Sequence, residues 1–154
     1  MIYKHLLVAA YVITLLSSCI DGAYYENSST IPNYSWSYDD IQKFEVNIDD
    51  ATVRYDMYIN LRHSADYNFS NLFILLHEKG KGLKDTAYRK EIVLAQLDGR
   101  WLSNSAGGVY ENQYLAKENF TFPDTGKYEF AVEQNMRENP LKDIINVGIK
   151  LVKK

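Results

Sequence analysis

Cys19 is the one thiol in a chain of 154 residues, and it closes Leu16-Ser17-Ser18-Cys19 directly after an apolar run. Small residues before a cysteine suit the narrow cleavage site of a lipoprotein signal peptidase, and the sulfur is the nucleophile that takes a palmitate-type acyl chain. Lys4 and His5 supply a short basic n-region, and Leu6 to Leu16 (LLVAAYVITLL) form the apolar h-region. As a helix that run would rise roughly 16 Å against a hydrocarbon core of about 30 Å, so it reads as a signal segment and not as a span. The expectation is a signal peptide over 1–18, cleavage before Cys19, and lipid on Cys19. One chain holds marginally at about 0.8 kcal/mol per buried CH₂, whereas the two or three chains of a bacterial lipoprotein anchor stably. With Cys19 acylated no intramolecular disulfide can form, so the fold must be held by its core.

The remaining chemistry is thin. Only His63 and His77 lie beyond the signal, and neither belongs to an H-E-x-x-H or Cys/His pattern, so no zinc site and no cofactor are expected. His63 reads as a solvated strand-end residue and His77 as a polar residue at a strand exit. There is no G-x-S-x-G elbow for a serine hydrolase. Asp56, Asp66, Glu129 and Glu133 are carboxylates that a glycosidase could use, but they read as ordinary outward strand positions. Asp39-Asp40 and Asp49-Asp50 read as turn and cap residues, not as a calcium loop. Tyr24, Tyr25, Tyr34, Trp36 and Tyr38 could form a sugar-stacking platform, with edge cover or linker as the plainer reading. Asp85-Thr86-Ala87 matches a short O-glycosylation pattern of exported Bacteroidetes proteins, which marks Thr86.

Beyond residue 18 only Lys4 is lost among charged residues, leaving 16 Lys+Arg against 20 Asp+Glu and a formal charge of −4. No basic patch appears, so nucleic acid is not an expected partner. The 136 residues that follow the signal suffice for a single domain with a sizeable core.

Strands must position whatever these residues do. Residues 19–40 are polar and rich in Ser, Asn and Tyr, and predict a lipid-anchored linker that becomes ordered near Pro32 to Tyr38. From Ile41 the period is two: Phe44, Val46 and Ile48 alternate with polar residues, and Val53, Tyr55, Met57, Ile59 and Leu61 repeat the pattern. Leu72 to Leu76 is continuously apolar and predicts a strand buried on both faces. Thr86 to Leu97 predicts a strand with a bulge, and Val109 to Leu115 and Phe120 to Phe122 predict weaker ones. Tyr128, Phe130 and Val132 alternate again, Gln134 to Asn139 predicts one or two helical turns stopped by Pro140, and Ile145 to Leu151 closes as a strand. The pattern predicts an all-β, two-layer antiparallel β-sandwich over 41–154, jelly-roll-like, with a closed barrel as the alternative.

Three stretches carry a family resemblance. They are Met57-Tyr-Ile-Asn-Leu-Arg-His63 continuing through Asp66-Tyr67 to Phe69-Ser-Asn-Leu-Phe73; Asp98-Gly-Arg-Trp-Leu102 followed by Gly107-Gly108; and Phe122-Pro123, Gly126-Lys-Tyr128 and Val132-Glu-Gln-Asn-Met-Arg137, with Asn146-Val-Gly148 near the end. In this order and spacing, and with Cys19, the chain resembles the gliding-motility lipoprotein GldH family of Bacteroidetes. The resemblance implies a non-catalytic envelope lipoprotein, an accessory or scaffold component of a complex associated with gliding and type IX secretion. It brings no enzymatic residues. Ser103-Asn104-Ser105-Ala106 departs from the glycine-rich, acidic turn usual in the family after Trp101-Leu102.

Within the matching stretches, the polar or aromatic positions that strand periodicity leaves unexplained are Asn60, Arg62, Asp66, Tyr67, Asn71, Trp101, Glu133, Gln134 and Arg137. They are expected to clamp loops or to bind a partner, and an Arg62–Asp66 bond is the simplest clamp. The expected partners are a membrane, through Cys19, and envelope proteins. A glycan-binding lipoprotein in nutrient capture is the alternative. Ile20-Asp21-Gly22 lacks the acidic run that directs surface display, so the expected location is the outer membrane with the domain facing the periplasm.

Overall fold

The computed structural model describes residues 22–154, so the expected signal peptide and Cys19 lie outside the described residues. The described residues form eleven strands: β1 (Ala23–Thr30), β2 (Ser35–Trp36), β3 (Gln42–Ile48), β4 (Tyr55–Ser64), β5 (Asn71–Gly80), β6 (Thr86–Val93), β7 (Ser105–Ala106), β8 (Val109–Phe120), β9 (Gly126–Gln134), β10 (Leu141–Lys142) and β11 (Ile144–Lys153). Sheet one runs β1-β11-β4-β8-β7 and sheet two runs β3-β9-β5-β6, while β2 and β10 pair separately. All pairings are antiparallel. Among the long strands, only β5 and β6 are both consecutive in the chain and neighbours in a sheet; the other connections cross between sheets. That alternation, with first and last strands side by side, is the jelly-roll solution for two packed sheets.

The period-two segments form strands because alternate side chains leave water together. β3 buries Gln42, Phe44, Val46 and Ile48 and exposes the residues between them. β4 contributes Tyr55, Met57, Ile59 and Leu61, and β11 contributes Val147, Ile149 and Leu151, from the opposing sheet. Each fully buried side chain of this size contributes about 1.5–3 kcal/mol relative to exposure. Phe122 plugs one end, its ring 4.6 Å from Tyr128 and 5.4 Å from Tyr55.

Four local expectations are corrected. Order does not wait for Pro32 to Tyr38: β1 already pairs with β11 from Ala23 to Thr30, and Trp36 is wholly buried. The strand is polar because it is an edge, held chiefly by backbone pairing. Leu72–Leu76 is buried on one face only: Leu72, Ile74 and Leu76 point inward, while Phe73 and Leu75 face outward, half-buried. The strand expected over Val109–Leu115 runs on to Phe120 as β8, and Thr121 and Phe122, expected in a second strand, lie beyond its end. No helix forms over 134–139; Gln134 ends β9 and a bent loop follows.

Candidate functional site

The expected site residues divide among three places. The first is the outer face of sheet one, where Asn60 and Arg62 project from β4 between Gly148 and Asn146 of β11 and Gln113 and Glu111 of β8. Arg62 Nε and Nη2 donate to Glu111 Oε2 at 3.0 and 2.8 Å. The expected Arg62–Asp66 clamp is therefore absent: Glu111 stands directly across the ladder, whereas Asp66 sits exposed in the turn beyond, its amide on Ser64 Oγ. Asn60 Nδ2 donates to Glu26 Oε1 (2.9 Å), and Gln113 Nε2 donates to Asn60 Oδ1 (3.1 Å). These side chains, with Ser28 and Asn146, line a polar recess of about 220 Å³.

The second place is the interior beside the end of β4. His63 is wholly buried, which corrects the solvated reading. Its ring stacks on Tyr110 (5.4 Å, 10°) and lies 4.5 Å from Trp101 and 5.4 Å from Tyr67. Trp101 reaches it because Ala95 and Trp101 bridge across the hairpin that turns at Gly99. Nδ1 lies 2.8 Å from Ser64 O, a group that can only accept, so Nδ1 carries the proton; Nε2 has no partner among the described residues. Burial lowers the pKa of His63 below its ordinary value of 6.5. Burial likewise raises the Tyr67 hydroxyl, which donates to Asn71 O at 2.9 Å.

The third place gathers residues from two of the resembling stretches. Where β5 and β9 end together, Phe69, Phe73, Arg89, Asn135, Met136, Arg137 and Glu138 line a recess of about 430 Å³ on the outer face of sheet two. Gln134 organises it from within: wholly buried, it accepts from Met136 N (2.9 Å) and donates to Glu138 O (3.1 Å). Tyr38 OH donates to Met136 O (2.6 Å), and Phe73 N to Met136 Sδ (3.2 Å). Arg89 lies 3.7 Å over the Phe73 ring, with Nε on Asn135 Oδ1 at 3.0 Å. Nearby, Asn71 Nδ2 donates to Glu91 Oε1 (2.7 Å), and His77 Nε2 lies 3.0 Å from Glu133 Oε2. The contribution of Phe69, Phe73 and Arg89 was missed; a half-buried Phe on the outer face of a strand was the available signal.

The proposed aromatic platform does not assemble. Trp36 is in the core with Nε1 on Asp40 O, Tyr24 packs on Tyr55 at 5.2 Å, and Tyr38 ties down the Met136 loop. Asp56 is buried and paired with Lys154 at 2.8 Å, not outward and free. That pair lowers the Asp56 pKa and raises that of Lys154. Among the described residues no group of three His, Cys, Asp or Glu is placed to hold a metal ion, and no helix is long and apolar enough to cross a membrane.

Exposed apolar residues concentrate in one part of the described chain. Of the exposed large apolar residues, Tyr88, Val93, Leu97, Leu102 and Leu115 all belong to β6, β8 or the connection between them. Val93 and Leu102, 54% and 53% exposed, line one recess of about 270 Å³ with Ile92, Ser103, Asn112 and Tyr114.

Fold and surface together define an antiparallel jelly-roll domain whose described surface carries shallow recesses, among them a polar one at Asn60, one at Phe73 and Met136, and one at Val93 and Leu102. A family model described as GldH lipoprotein matches residues 23–151, and the chain belongs to that family. It is 34% identical over 153 residues to a gliding motility lipoprotein GldH homolog of Christiangramia forsetii, covering 93% of this chain and 91% of the relative. It is 27% identical over 147 residues to gliding motility lipoprotein GldH of Flavobacterium johnsoniae, covering 91% of each. Among solved structures, an insecticidal delta-endotoxin of Bacillus thuringiensis aligns at a TM-score of 0.41 and 17% identity, over 84% of this chain and 19% of the toxin.

Proposed function

We propose that this chain is a non-catalytic lipoprotein, tethered at Cys19 to the outer membrane with its domain facing the periplasm. It works as an accessory or scaffold component of an envelope complex associated with gliding and type IX secretion. The observation that carries the reading is the flank where the exposed Val93 and Leu102 share one recess with Ile92 and Tyr114, because exposed apolar side chains that meet on a domain surface mark a protein contact. The names of the relatives agree with it. β1 starts four residues after Cys19, so a lipid there would hold the sandwich within about 14 Å of chain from the acyl group. The domain would sit on the bilayer and present its flank to neighbours in the same membrane.

Affinity purification from crosslinked envelopes tests this. The native chain should recover a defined set of envelope proteins, and Leu102→Asp with Val93→Asp should lose them. An unchanged set, or recovery of glycan-uptake proteins alone, would overturn the scaffold reading. Labelled palmitate should mark the native chain and not Cys19→Ala, and protease treatment of intact cells should leave a periplasmic domain uncut. The polar recess around Asn60, Glu26 and Arg62 supports a second reading, a glycan binder in nutrient capture, which glycan-affinity electrophoresis with Asn60→Ala would reveal.

A further inference from the structure

We infer that the recess lined by Phe73, Arg89, Met136 and Arg137 docks an extended segment of a partner protein that carries an Asp or Glu beside a large apolar side chain. The chain has five arginines. Arg62 and Arg100 each sit on a carboxylate, at 2.8 and 2.7 Å, and Arg54 donates to Asn119 O. Arg89 and Arg137 have no carboxylate partner among the described residues, and both line this one recess. In a chain with more acidic than basic residues, two guanidinium groups on one recess without a carboxylate partner among the described residues create a place for an external one.

Arg89 is set in advance for that role. The Phe73 ring lies 3.7 Å beneath it, and Asn135 Oδ1 takes its Nε at 3.0 Å. Both Nη groups are left over, and their fork matches the two oxygens of a carboxylate. The apolar part of the recess is Phe69, Phe73 and the thioether of Met136, a soft surface that adapts to aromatic or aliphatic side chains. Its volume of about 430 Å³ admits a few side chains, not a domain. Glu138 on the rim and Glu91 on Asn71 keep the surroundings mixed in charge, which fits an isolated carboxylate better than a polyanion.

The backbone argues for a peptide over a free acid. β6 carries Arg89 and is an outer strand of sheet two, so the N–H and C=O groups on its far side have no strand partner among the described residues. An extended segment can pair along such an edge while a side chain turns into the recess. The inference goes beyond the scaffold reading, because it rests on Arg89 and Arg137 and not on Leu102.

The test uses the full chain in detergent and two capped, fluorescein-labelled peptides, Gly-Phe-Glu-Leu-Gly and the same peptide with Gln for Glu, read by anisotropy. The Glu peptide should bind and the Gln peptide should bind at least about tenfold more weakly. Arg137→Gln and Arg89→Gln should each weaken the Glu peptide by about tenfold and leave the Gln peptide nearly unchanged, and binding should fall with salt. Arg137 is exposed, so its variant keeps the fold, and amide shifts at Phe73 and Met136 should locate the peptide. No binding of the Glu peptide up to several millimolar, equal affinity for both peptides, or indifference to Arg137→Gln would overturn the inference. Leu102→Asp should bind the peptide normally, so failure of the scaffold reading and failure of this one are read separately.

Discussion

Lys117 Nζ donates to Glu78 Oε2 across 2.9 Å, and the two residues belong to different sheets. Glu78 points into the sandwich with 3% of its side chain exposed, and Lys117 enters from β8 at 29%. Its ammonium also lies 4.6 Å from the centre of the Phe120 ring. Lys117→Met should therefore destabilise the domain by about 3 kcal/mol, because it leaves a buried carboxylate without a counter-charge. Adding Glu78→Gln to that variant should recover much of the loss. Urea denaturation of the two single variants and the double variant measures the coupling. Arg62→Ala, which removes a pair exposed by half on both sides, should cost less than about 1 kcal/mol in the same assay.

His63 makes stability depend on pH. Its folded-state pKa is lowered by burial, so below 6.5 the unfolded chain takes up a proton that the folded chain refuses. The unfolded state then binds more protons, and stability falls as pH drops from 6.5 to the folded pKa, below which the effect levels off. The protonated ring would face Trp101, Tyr67 and Tyr110 with no acceptor for Nε2. His63→Phe should flatten this part of the profile. Urea midpoints from pH 7.5 to 5 for both chains give the difference, and parallel curves would reject the account.

What could be read from the sequence follows from where period and burial coincide. β3, β4, β9 and β11 were legible because each presents one face to the core, and the two-layer jelly roll followed from their number and spacing. β1 was not legible, since Ala23–Thr30 is a polar edge whose support is backbone pairing to β11. Leu72–Leu76 misled because Phe73 and Leu75 are covered from outside by polar residues, Arg89 above all. Burial of His63 depended on a hairpin 30 or more residues away bringing Trp101 over it, and strand periodicity carries no such information. Among the site residues, Gln134 and Arg137 meet at one recess of sheet two with Asn71 and Glu133 nearby, Tyr67 and Trp101 lie against the buried His63, and Asn60 and Arg62 look out from the other sheet.

Gly148 holds β1 in place by lacking a side chain. A Cβ there would stand 2.6 Å from Asn27 O and 2.8 Å from Ser28 Cβ, both on the neighbouring strand. Gly148→Ala should push β1 off β11 and cost about 1–3 kcal/mol. Hydrogen exchange should show the loss first over Ala23–Thr30, with the amides of β4 and β9 protected longer. This strand begins four residues after Cys19, so loosening it should also lengthen the reach of a lipid-held domain from the bilayer, measurable by energy transfer from a labelled surface residue to a membrane dye.

Gln134 offers the most local test of how the Arg137 recess is built. Its amide satisfies Met136 N and Glu138 O from inside the fold, and Nε2 also lies 3.4 Å from Trp36 O. Gln134→Leu keeps roughly the volume and removes every one of these bonds, leaving backbone groups of the loop unpaired at about 1–3 kcal/mol for each that stays dry. The loop can instead turn those groups to water, at the expense of the recess. Fast exchange confined to residues 135–139, with binding of the Glu peptide lost while the rest of the sandwich stays protected, is the expected outcome. Loss of protection throughout sheet two would mean that Gln134 supports the core and not the recess alone.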